Sequence, residues 1–183
     1  SGGFTYDPRT AFNFLRAGQT DTDTFTYGVV DAHGAIGTAT VTMSIDGRND
    51  APIAIGNLYS TDDNTPISGK NMVTDNTGAG ADSDPDTGDV LRLVTIRTPN
   101  SNFVLSGTAN VPITLDSGAT LTVLYNSATG QFDGGFVYDP TTSASLNALQ
   151  IGQTGSDSFL YGVGDGTTTF NLPDLRGRAA VGA

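Results

Sequence analysis

The 183 residues include 24 Gly and 8 Pro but no Cys and no Trp, and 19 acidic side chains stand against 8 basic ones for a net charge of −11. A chain of this length builds one or two domains with a core that needs no covalent staple, and the lack of Cys excludes a disulfide framework without placing the chain inside a cell. The charge balance argues against nucleic acid, which needs a basic footprint, and against docking on anionic lipid. It leaves two readings of the acidity: a soluble, self-repelling surface, or clustered carboxylates neutralised by bound cations.

The first predicted element follows Gly2-Gly3-Phe4-Thr5-Tyr6-Asp7-Pro8, where residues 10–16 have Phe12 and Leu15 three apart and can form a turn or two of helix. Phe25, Tyr27 and Val29 then alternate with Thr24, Thr26 and Gly28, a period of two that predicts a strand with one face buried. After the turn at Ala32-His33-Gly34, Ala39, Val41, Met43 and Ile45 alternate with Thr38, Thr40, Thr42 and Ser44, and the two runs read as a hairpin. Pro52 lacks an amide proton and marks a boundary, so Asp46-Gly47-Arg48-Asn49-Asp50-Ala51-Pro52 is a short linker. Further strands are predicted over 53–59, 90–97, 102–106, 111–115, 119–125 and 135–138, and a second short helical turn over 143–149 with Leu146 and Leu149. No run approaches the roughly 18 apolar residues of a membrane span.

These elements are partly a repeat. Gly2 to Pro8 returns as Gly134-Gly135-Phe136-Val137-Tyr138-Asp139-Pro140, at an offset of 132 positions. Ala17-Gly18-Gln19-Thr20 returns as Ile151-Gly152-Gln153-Thr154, and Asp23-Thr24-Phe25-Thr26-Tyr27-Gly28-Val29 as Asp157-Ser158-Phe159-Leu160-Tyr161-Gly162-Val163, now offset by 134. A period this long exceeds a solenoid unit, so each copy is expected to be a domain with its own core. The expected organisation is all-β, with antiparallel β-sandwich modules in tandem. Residues 1–50 are the second half of one module, 51–165 a nearly complete next one, and 166–183 a departure from the pattern. Opening half-way through a unit, the chain is expected to be cut from a longer protein whose targeting signals lie elsewhere.

Leu15 to Pro52, with its Gly-Gln, its Thr-Asp-Thr-Phe-Thr-Tyr strand, its Thr/Val-rich strand and its Asn-Asp-Ala-Pro linker, resembles the end of bacterial cadherin-like repeats of the VCBS and tandem-95 type. Thr61 to Gly69 resembles the opening strand of that family, and Asp82-Ser83-Asp84-Pro85-Asp86-Thr87-Gly88-Asp89 its acidic loop. The resemblance implies Ig-like sandwich modules with calcium at their junctions. The chemistry agrees, because calcium takes about six to eight oxygen ligands and Asp82, Asp84, Asp86 and Asp89 lie close together in a Gly/Pro-containing loop. Asp46, Asn49 and Asp50 in the linker, Gln19 and Asp31 in the preceding half-module, and Asp63 complete the expected ligand set. Gln19 and Asp63 stand where family members usually carry Glu, a departure that weakens a site or shifts ligation to water. The bland alternative is that Asp and Asn cap turns through their own backbone. An EF-hand is rejected, since no Glu follows at the twelfth position and no helices flank the loop.

The segment from Gly164 to Arg178 breaks the repeat. Its Phe170, Leu172, Pro173, Asp174, Leu175, Arg176, Gly177 and Arg178 closely resemble the phage tail-collar motif Thr-Phe-x-Leu-Pro-Asp-Leu-Arg-Gly-Arg. That resemblance implies a fibre, typically trimeric. The alternative is that this segment simply supplies the final strand of the sandwich.

Catalysis finds little footing. His33 is the only His and lies in a turn, so neither an ordinary zinc site nor a Ser/His/Asp triad is supported. The paired carboxylates sit on an Asp-rich loop without the sugar-shaped groove of a glycosidase, and the Gly pairs precede strands instead of helices. Carbohydrate binding lacks an exposed Trp, and Tyr6, Tyr125 and Tyr138 are expected in core or hairpin positions. Two non-enzymatic readings remain. One is an extracellular or cell-surface stalk of an adhesive repeat protein, its junctions stiffened by calcium, meeting neighbouring modules and a cell-surface or matrix ligand. The other is a segment of a virion tail fibre leading into a trimeric collar.

Overall fold

Thr-rich alternation in the first fifty residues yields one long hairpin. Strands β1 (Thr20–Val30) and β2 (Ile36–Asp46) run antiparallel, with Thr20 opposite Asp46, Phe25 opposite Val41 and Val30 opposite Ile36. Asp31 closes the turn by accepting from the amides of His33 and Ala35 through Oδ1, and Gly34 takes the positive φ of 87° that the turn requires.

In this computed structural model residues 2–166 and 177–182 are described. The chain divides into two compact units, one of Ser1–Asp50 with Pro85–Gly88 and one of Ala51–Asp84 with Asp89–Ala183. The protein is all-β: among the described residues there is no α-helix, only a 3-10 turn at Pro140–Thr142 that Asp139 caps by accepting from Thr141 N. The stretches 10–16 and 143–149 are turns, because so few residues cannot repay helix nucleation.

The second unit is a sandwich of two sheets. Its strands are β3 (Leu58–Ser60), β4 (Ile67–Asn71), β5 (Arg92–Arg97), β6 (Asn102–Val104), β7 (Val111–Thr114), β8 (Thr120–Val123), β9 (Gly135–Asp139), β10 (Ser156–Gly164) and β11 (Gly177–Gly182). One sheet has the order β3-β11-β10-β5-β6 and the other β4-β9-β8-β7, with every pairing antiparallel except β11 with β3. Leu121 and Val123, Phe136 and Tyr138, and Phe159, Tyr161 and Val163 point inward at alternate positions into one core that Leu93, Ile96 and Ile113 complete. Leu93 and Ile96 are three apart yet both buried. The register against β10 shifts between Gly162 and Val163, which leaves Val94 as an extra residue and turns the strand over.

Five of the sequence-predicted strands in this unit match to within two residues at either end. The run 53–59 is only an isolated bridge at Ile53 and the start of β3, and β4 lacks a clean alternation because its register shifts between Ile67 and Lys70, where Gly69 has a φ of 66°. One expectation is corrected outright. Phe25, Tyr27 and Val29 lie on exposed backbone in the first unit, although the alternation predicted a buried face. A two-stranded sheet has no second layer to cover either side. Of the collar-like residues, Phe170, Leu172, Pro173, Asp174, Leu175 and Arg176 lie outside the described residues; Gly177 and Arg178 open β11, which lies beside β10 as β2 lies beside β1.

Candidate functional site

In the second unit, the antiparallel pairing of β10 with β5 sets Gly164 opposite Arg92. Asp165, one step beyond β10, therefore emerges at the end of the sheet where the chain enters β5 from Asp89. Asp84 is positioned by the bridge between Ile53 and Ser83, whose two backbone hydrogen bonds measure 2.7 and 3.1 Å. The half-buried carboxylates of Asp84, Asp89 and Asp165 each place an oxygen within 4.8 Å of the others. Oxygens on opposite sides of a calcium ion, at about 2.3–2.6 Å from it, are separated by at most about 5 Å, so this spacing fits one ion. The donors are all oxygen, with no His or Cys among them, which suits a hard cation in place of zinc. Backbone carbonyls or water would have to supply the remaining positions.

Asp82, expected beside them, has another task. Its Oδ1 accepts from Ile55 N at 2.6 Å and from the Tyr161 hydroxyl at 3.0 Å. Burial pushes its carboxyl above the usual range, against those two hydrogen bonds. The Tyr161 hydroxyl lies 2.6 Å from Ile55 O and 3.1 Å from Met72 O, and Asn57 Nδ2 reaches it at 3.3 Å and Met72 O at 2.6 Å. This buried polar knot ties the 55–57 segment to β10, so Asp82 is a structural anchor.

The first unit keeps the other predicted ligands in local duties. Asp86 is almost fully buried and accepts from Asp50 N at 2.8 Å through Oδ2, Asn49 donates from Nδ2 to Asp50 O, and Thr87 N donates to Phe14 O. Gln19 Oε1 accepts from Arg16 N at 2.9 Å while its backbone carbonyl accepts from Gly47 N. Asp46 ends β2 and Asp31 closes the opposite end of the hairpin. The strands have 11 residues each, which puts those carboxylates on the order of 30 Å apart and rules out a shared ion. In the second unit Asp63 is on the exposed turn after β3, where its Oδ1 accepts from Asn64 Nδ2. His33 is an exposed turn residue.

Asp165 escaped the sequence reading, though a signal existed: it is the repeat counterpart of Asp31, which was singled out.

Among known families, the Phage Tail Collar Domain matches residues 151–180 of this chain. The matched span takes in β10 and most of β11. No curated protein matches the chain. No helix among the described residues is long and apolar enough to cross a membrane.

Proposed function

We propose that this chain is a non-enzymatic structural segment of a phage-type tail fibre, in which β-sandwich modules run into a collar and serve host attachment. The observation that carries this reading is the collar-domain match over residues 151–180, which begins within the second sandwich and so joins module and collar in one piece of structure. Collar domains belong to fibrous, often trimeric assemblies, and the proposed assembly is a homotrimer. Antibodies against the second unit should label the tails of purified particles, and the chain should sediment at three times its monomer mass. Labelling confined to a cell envelope, with a monomeric mass, would sink the fibre reading.

A second reading, the cadherin-like adhesive stalk at a cell surface, is favoured by the repeated half-module. In either setting we propose a divalent cation, calcium by donor chemistry, held by Asp84, Asp89 and Asp165. It would pin the end of β10 to the loop before β5, stiffening that end of the sandwich. Melting with and without EDTA tests it: calcium at 100 times its Kd adds about 2.7 kcal/mol. An unchanged melt, together with no heat on calcium titration, would remove the ion from the account.

A further inference from the structure

We infer that the first unit is an acceptor surface for a partner segment with the strand pattern of residues 51–133. This does not depend on the fibre reading. Locally the two repeats fold alike. The Tyr6 hydroxyl donates to Asp23 Oδ2 at 3.0 Å, as Tyr138 does to Asp157 Oδ2 at 2.8 Å. Arg16 N donates to Gln19 Oε1 at 2.9 Å, as Gln150 N does to Gln153 Oε1 at 2.8 Å. Asp7 and Asp139 each accept from the amide two residues on.

Burial, however, differs completely. Phe4, Phe25, Tyr27 and Val29 are 58, 37, 45 and 59 % exposed, whereas their counterparts Phe136, Phe159, Tyr161 and Val163 are 1, 3, 1 and 3 % exposed. Residues 51–133 contribute cover to the second set. The Tyr59 ring meets Phe136 edge-on at 5.2 Å, Asn71 and Val73 close over Gly134, and Ile55 O and Met72 O hold the Tyr161 hydroxyl. An added Cβ at Gly2, the counterpart of Gly134, would meet nothing within 4 Å.

The backbone shows the same want. Gly135–Asp139 is strand β9 because β8 and β4 flank it, while Gly3-Phe4-Thr5-Tyr6-Asp7, with nearly the same sequence, forms no strand. β10 is paired on both edges, by β11 and β5, while among the described residues β1 pairs with β2 alone. An unpaired edge and an exposed apolar face are two separate demands. A second copy of the hairpin laid face to face covers the side chains but leaves the edge unpaired. A 51–133-type segment answers both, with its β5 for the edge and its β4, β7 and β8 for the face. The acceptor also presents Asp31, counterpart of Asp165, whose neighbours Asp84 and Asp89 both belong to residues 51–133.

The test adds a copy of residues 51–133 directly before Gly2 of the full chain, reproducing the native Asp133–Gly134 joint. Amide exchange is then followed by mass spectrometry. Protection over 3–7 and 20–30 should rise by about 100-fold or more, toward the level of 135–139 and 156–164. A second chain grafts residues 2–29 in place of 134–163 in the second unit, and should keep a single cooperative melt. If exchange over 3–7 and 20–30 is unchanged and the graft melts without cooperativity, the inference falls. A cooperatively melting graft alone still supports it, since the fault then lies in folding of the added copy. Protection of 20–30 that rises with concentration in the unextended chain, with a dimer mass, would overturn it in favour of a second copy.

Discussion

The Tyr–Asp hydrogen bond that occurs in both repeats offers a controlled measurement of what burial does. Tyr138→Phe removes one of three donors to Asp157, which also accepts from Ser117 N at 3.2 Å and Ser117 Oγ at 2.6 Å. Tyrosine and aspartate are there both almost fully buried. Deleting a buried donor to a carboxylate costs about 1.5–3 kcal/mol, since no water replaces it. At roughly 3–4 °C per kcal/mol for a unit of this size, melting of the sandwich should fall by roughly 5–12 °C. Tyr6→Phe deletes the matching bond to Asp23 where solvent reaches both groups, so water takes the place of the hydroxyl and the change should stay within about 0.5 kcal/mol. Calorimetry reads the first substitution, and amide exchange over 20–30 and 36–46 reads the second. Equal costs at the two positions would refute the reasoning, because they would mean that the hairpin face is as dry as the sandwich core.

Gly134 holds a φ of 102° with Asn71 Oδ1 and Val73 crowding any Cβ, so Gly134→Ala should destabilise the sandwich by about 2–4 kcal/mol in a urea melt, while Gly2→Ala should be silent. Asp84→Asn with Asp89→Asn should abolish any EDTA-sensitive part of the melting temperature while leaving the circular dichroism spectrum unchanged; a calcium response that survives both changes would disprove ligation by these residues. Burial first, then the neighbouring Asp, pushes the hydroxyls of Tyr59, Tyr138 and Tyr161 above their ordinary value of 10.0. Raised folded-state values mean that the stability they contribute is intact below about pH 10 and is lost as pH rises further, at about 1.4 kcal/mol per pH unit for each tyrosine. Melts between pH 9 and 11 should show that decline, shallower by about a third in Tyr138→Phe.

The candidate site was legible only in part. Asp84 and Asp89 announced themselves by crowding in sequence, but crowding does not say which oxygens converge. Asp82, two residues from Asp84, turns inward to bind Ile55 N and Tyr161, and Gln19 folds back on Arg16. Asp165 joins Asp84 and Asp89 only because the register of β10 against β5 brings position 165 to the same end of the sheet. That is a contact between residues more than seventy positions apart, which no local pattern encodes.

By itself the sequence determined the class of the fold, most of the strand positions and the repeat, because alternation, turn residues and self-similarity are local properties of the chain. Gly-Phe-Val-Tyr-Asp and Gly-Phe-Thr-Tyr-Asp show where that authority stops. Both carry the same alternation, yet the first is a buried central strand and the second is exposed chain with no strand structure. Pattern decides which side chains are able to face a core; only tertiary structure supplies the second sheet and the neighbouring edges that make the core exist. The desolvation that drives burial and the hydrogen bonds that hold a ladder both require a partner, and in the first unit that partner is what the hairpin leaves unmet.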